Sequence, residues 1–166
     1  MISPYSSALL ISFIWLLLQS FLFISLMLFY LRRSKILKTP VSGLAYGDIA
    51  IAGSLLFGSL FISTAASGSL FQSAKVLGNA GTFTISAVFM KCSEFFFLGL
   101  VMIIVFMLIH TVNSRIFFRE VDQSAHENSI GRGILIAGLN FGFAVLCWFC
   151  YQALAEMVTP EAMNFR

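Results

Sequence analysis

Four stretches of this chain, approximately residues 8–31, 48–69, 88–111 and 133–154, are long apolar runs with almost no charge. About 20 mostly apolar residues in a helix cross roughly 30 Å of hydrocarbon. In lipid every backbone N–H and C=O must be satisfied without water, and a helix does this within one segment. The runs therefore predict an all-α integral membrane protein with four transmembrane helices. Only 10% of the 166 residues are charged, against roughly 25% in a soluble domain. The sequence between the runs is too short to enclose a separate soluble core.

The few charges set an expected topology. Arg32, Arg33, Lys35 and Lys38 follow the first run, and Arg115, Arg119 and Arg132 lie between the third and fourth. Only Lys75, Lys91 and Arg166 fall on the other side. Basic loops stay in the cytoplasm, so both termini are expected outside it. The Arg32–Lys38 cluster is read as a topology determinant against lipid headgroups, not as a nucleic-acid patch. The first residues, Met1-Ile2-Ser3-Pro4-Tyr5, lack the positive charge of a signal peptide. The first run is also too long for a signal core, so a retained helix is expected.

The halves of the chain echo one another. Asp48, Gly53 and Gly58 recur as Asn128, Gly133 and Gly138, without a gap. The same offset pairs Phe61 with Phe141, Phe71-Gln72 with Tyr151-Gln152, and Met27-Leu28 with Met107-Leu108. The expected organisation is a first hairpin over 1–72, an outer connection over 73–87 and a second hairpin over 88–166. Two crossings per unit make the repeats parallel, around a pseudo-two-fold along the membrane normal. The segment Gly68–Gly81 is expected to form a short amphipathic piece in the interface plane. Asp48 and Asn128 are placed to accept from free N–H groups as N-caps of the second and fourth helices.

Membrane helices associate through small residues that let backbones approach. Ala50, Ser54 and Gly58 share one face of the second run, and Gly138 and Gly142 form a GxxxG in the fourth. With Gly53 and Gly133 of the repeated pattern, they predict that the second and fourth helices form the buried, contact-making pair. The first and third helices are expected to face lipid over much of their surface.

Polar residues inside apolar runs are the remaining candidates. Lys91 and Glu94 share a helix face, where they can neutralise each other near the outer interface. An ion or proton site is the alternative. Gln19 and Asn140 lie nearer the membrane centre, where interhelical hydrogen bonding is expected. His110 falls at the inner end of the third run and reads as an interfacial anchor. Cys147-Trp148-Phe149-Cys150 is a formal CxxC, but it lies late in an apolar helix, away from an activating N-terminus. No catalytic set, phosphate loop, metal-ligand spacing or cofactor motif is visible, so a non-enzymatic protein without cofactor or metal is expected.

The tandem helix pairs resemble the YjfL-like family of uncharacterised bacterial inner-membrane proteins. The resemblance rests on Asp48-Ile49-Ala50-Ile51-Ala52 with Gly58, on Asn128-Ser129-Ile130-Gly131-Arg132 with Gly138 and Gly142, and on the turn Lys38-Thr39-Pro40. It implies a multi-pass protein of the bacterial inner membrane and supplies no activity. The leading expectation is a small non-enzymatic subunit of a homo- or hetero-oligomeric envelope assembly. Its partners would be lipids, its own copies and other membrane subunits, without nucleic acid. The alternatives are an oligomeric channel or transporter lined by Lys91, Glu94, Gln19 and Asn140, and a thiol-redox protein using Cys147 and Cys150.

Overall fold

The computed structural model describes residues 4–33, 46–79, 85–119 and 129–159. They form five helices: α1 (Pro4–Arg33), α2 (Tyr46–Ser63), α3 (Ser67–Asn79), α4 (Ile85–Arg119) and α5 (Ser129–Val158). There is no strand among the described residues. Four segments are long and apolar enough to cross a membrane: Leu9–Arg33, Tyr46–Leu77, Ser86–Ile116 and Ile130–Val158. The second is made by α2 and α3 together.

The helices run past the apolar cores that predicted them, because polar residues can continue a helix where the apolar run stops. Pro4 opens α1, where a missing N–H costs nothing and the fixed φ suits the first turn. Arg32 and Arg33 close it against the negative end of the helix dipole. α5 ends where Thr159 turns back on Ala155, its N–H and hydroxyl donating to the Ala155 carbonyl at 3.1 and 2.7 Å. Pro160 follows and cannot extend the ladder.

The expected second helix, 48–69, is two helices. Ser59, Ser63 and Thr64 each donate a hydroxyl to the carbonyl three residues back, at 2.7–2.8 Å. Such back-bonding bends a helix. The backbone tightens with it: Thr64 and Ala65 donate to Phe61 and Ile62 at 3.1 Å, in i→i−3 bonds. α3 then restarts at Ser67 with Ser69, Leu70, Ser73 and Ala74 buried, and packs on α1 and α4. The expected interfacial connection is thus a helix docked on the bundle.

Helix directions follow from the contacting pairs. α1 and α4 run parallel, with Trp15 against Phe89 and Tyr30 against His110. α2 and α5 also run parallel and form the most closely packed pair. Half of the second segment's apolar window is buried, against 17% for the first. α2 is therefore the central helix and α1 a peripheral one. The core between them holds Phe23, Met27, Leu55, Ile62, Phe95, Ile103, Phe106 and Tyr151.

The register between α2 and α5 departs from the one the expected repeat implies. An offset of 80 would level Phe61 with Phe141. Instead Phe141 stacks on Phe57, and Phe61 on Trp148, with ring centroids 6.1 and 5.4 Å apart. Ser54 meets Asn140 at a separation of 86 residues. Six positions of slip amount to about 9 Å along a helix. The cause is local: a Cβ on Gly133 would overlap the Gly47 backbone, so the helices lock where both lack side chains.

Candidate functional site

Two features stand out from the apolar bundle: polar groups hydrogen-bonded inside it, and a small-residue groove on its outside. The first polar set joins α1, α4 and α5. Gln19 Nε2 donates to Tyr151 Oη at 3.1 Å, and Tyr151 Oη donates to the Phe95 carbonyl at 2.6 Å. Gln19 is 1% exposed and Tyr151 fully buried. Gly99 makes the room. A Cβ there would stand 2.8 Å from Gln19 Nε2 and 2.9 Å from both Tyr151 Oη and Phe23 Cζ.

The second set joins α2, α4 and α5. Asn140 Nδ2 donates to Ser54 Oγ at 3.0 Å, and Ser54 donates onward to the Ile51 carbonyl at 2.8 Å. Asn140 Oδ1 lies 3.0 Å from His110 Nδ1; an amide oxygen only accepts, so the imidazole proton sits on Nδ1. Beside it the Tyr30 hydroxyl meets Thr111 Oγ1 at 2.6 Å; Thr111 spends its own hydrogen on the Met107 carbonyl, so Tyr30 donates. Ser20 and Ser63 pair in the same way across α1 and α2 at 2.8 Å. The recurring device is a hydroxyl that donates within its own helix and accepts from a neighbour.

Gln19 and Asn140 thus make the interhelical bonds expected of them. His110 does not stay at a helix end. α4 continues to Arg119, so His110 lies more than two turns inside it, 2% exposed and edge-on to Tyr30. Tyr151, Ser20 and Gly99 were not singled out from the sequence; a polar tip within an apolar run was the only signal for the first two, and Gly99 gave none. The two sets are separated by Phe23, Ile103 and Phe106, all fully buried, so they form no continuous polar path in one chain.

Lys91 and Glu94 pair as expected, Nζ to Oε2 at 2.6 Å and partly exposed. Lys91 also donates to the Val158 carbonyl at 3.3 Å, which ties the start of α4 to the end of α5. Asp48 lies inside the first turn of α2, which begins at Tyr46, so it complements the helix dipole and is not the N-cap. Asn128 lies outside the described residues.

The small residues divide by direction. Gly58 packs inward: a Cβ would stand 2.8 Å from Phe106 Cζ and 3.0 Å from Ala144 Cβ. Gly133 is the closest backbone approach, and Ser54 bonds to α5. Ala50 is half-buried. Gly53, Gly138 and Gly142 point out, and a Cβ added at any of them would meet nothing within 4 Å. The expectation that all seven make contacts within a buried helix pair is corrected for these three glycines. α5 buries the stripe Gly133, Ile136, Asn140, Ala144, Cys147, Tyr151 and turns the GxxxG to the opposite side. There Leu135, Gly138, Leu139, Gly142, Phe143 and Leu146 line an open apolar groove of about 420 Å³.

Cys147 is buried and Cys150 exposed, so the two thiols of the CxxC leave α5 in different directions; both are free. Among the described residues no three His, Cys, Asp or Glu side chains come together as a metal site would require. No family model, curated protein or solved structure matches the chain.

Proposed function

We propose that this chain is a small, non-enzymatic, multi-pass membrane subunit that assembles with its own copies or with other membrane subunits through the outer face of α5. The observation that carries this is the outward Gly138-x-x-x-Gly142 groove. Small residues on a lipid-facing surface give up side-chain packing unless another helix fills the space. The inward needs of the fold are met by Gly47, Gly58, Gly99 and Gly133, so Gly138 and Gly142 are free for a neighbour. The four long apolar segments support membrane insertion. The distribution of basic residues supports extracytoplasmic termini, in the bacterial inner membrane that the YjfL-like resemblance implies. The parallel courses of α1 with α4 and α2 with α5 support a duplicated hairpin.

The channel reading draws less support. Gln19 and Asn140 are turned inward and hydrogen-bonded within one chain, so a pore between copies would not be lined by them. The divergent Cys147 and Cys150 give no support to a thiol-redox role. Gentle extraction followed by native mass measurement tests the proposal. A discrete complex of fixed stoichiometry is expected. A monomer that co-purifies with nothing at every protein-to-detergent ratio contradicts it.

A further inference from the structure

We infer that the break between α2 and α3 holds the headgroup of a phosphoethanolamine lipid. The inference goes beyond the assembly role and rests only on the membrane reading. At the break, facing the last turns of α5, lies a half-enclosed cavity of about 390 Å³ whose lining is polar in a molecule otherwise sheathed in apolar side chains.

One wall donates. The Ser67 N–H is taken by the Thr64 carbonyl at 3.1 Å and the Leu70 N–H by the Ala66 carbonyl at 2.9 Å. Between them the N–H groups of Gly68 and Ser69 have no partner among the described residues. They sit at the positive end of the dipole of a 13-residue helix, a setting that favours phosphate. Ser69 adds an independent sign of a ligand: it lines the cavity, is only 6% exposed, and its hydroxyl has no hydrogen-bond partner among the described residues. Its oxygen is not sealed off but opens into the cavity, where a ligand can reach it.

The other wall carries charge of the opposite preference. Glu156 lines the same cavity and accepts one hydrogen bond from Gln152 Nε2 at 3.1 Å, with no cation beside it among the described residues. A simple anion would suit Gly68 and Ser69 but face Glu156. A simple cation would suit Glu156 but face a helix N-terminus. A zwitterion with phosphate and ammonium a few bonds apart satisfies both walls. The level agrees with a lipid source: Glu156 lies two residues from the end of α5 at Val158, where the apolar segment ends and Lys91 reaches the Val158 carbonyl. Trp148 lines the deeper end of the cavity, stacked on Phe61.

Native mass spectrometry of the purified full chain, with phosphatidylethanolamine, phosphatidylcholine or phosphatidylglycerol added in turn, tests this. Phosphatidylethanolamine is expected to be retained roughly tenfold more than phosphatidylcholine, whose quaternary ammonium cannot donate to Glu156. Glu156→Gln should abolish that preference, and Ser69→Ala should weaken both lipids alike through the shared phosphate. Glu156 is exposed, so its replacement leaves the fold intact. Equal retention of the three lipids, or a preference that survives Glu156→Gln, overturns the inference. Retention of chain-free phosphoethanolamine by delipidated protein, lost in Glu156→Gln, overturns the lipid assignment in favour of a soluble zwitterion. Oligomer mass is unaffected by either variant, so failure here is distinguishable from failure of the assembly role.

Discussion

At Gly133 a single hydrogen atom in place of a side chain decides how two helices meet. An added Cβ would strike the Gly47 backbone, which cannot rotate away, whereas at Gly58 it would strike mainly the end of the Phe106 ring, which can. At Gly99 it would displace the Gln19–Tyr151 bond. Overpacking typically costs about 1–3 kcal/mol. Gly133→Ala is therefore expected to destabilise most, Gly99→Ala and Gly58→Ala by less, and Gly138→Ala not at all. Unfolding in mixed micelles would check this order, and equal effects at Gly133 and Gly138 would refute it. Breaking an interhelical bond is milder: Tyr151→Phe should cost about 0.6 kcal/mol, the average for such bonds in membranes. Gln19 and Asn140 were legible in the sequence because polar groups in apolar runs need partners. The division of the glycines into inward and outward sets was not. Spacing says which residues share a face, but not which face meets a neighbour. His110 was misplaced because the apolar count ends before the helix does.

Among the elements, the pairing of α2 with α5 was expected and their register was not. Matched motifs imply equivalent depth only if both copies pack identically, and the Gly47–Gly133 approach overrides that. Cysteine pairs can measure the slip. Phe57→Cys with Phe141→Cys should cross-link in the membrane with a short bifunctional reagent, because those rings stack. Phe61→Cys with Phe141→Cys, level in the repeat, should react more slowly; the reverse ranking would restore the 80-residue register. The break at 64–66 was hidden for another reason. Serine, threonine and alanine keep the hydropathy high enough to read as one crossing, while the hydroxyls of Ser59, Ser63 and Thr64 redirect the hydrogen-bond ladder.

For the whole molecule, the apolar composition led directly to the four segments long and apolar enough to cross a membrane, because hydrocarbon thickness sets that length. What lies on the outside of the bundle was harder to read. A groove on α5 becomes visible only once the inward stripe of that helix is known. The most direct test replaces Gly138 and Gly142 with Leu together and measures subunit number by single-molecule photobleaching in lipid nanodiscs, beside thermal stability. Filling the groove is expected to reduce the assembly to monomers, or to lose its partners, while the unfolding transition stays within a few degrees of the parent chain. An assembly of unchanged size in the double variant would contradict α5 as the contact surface.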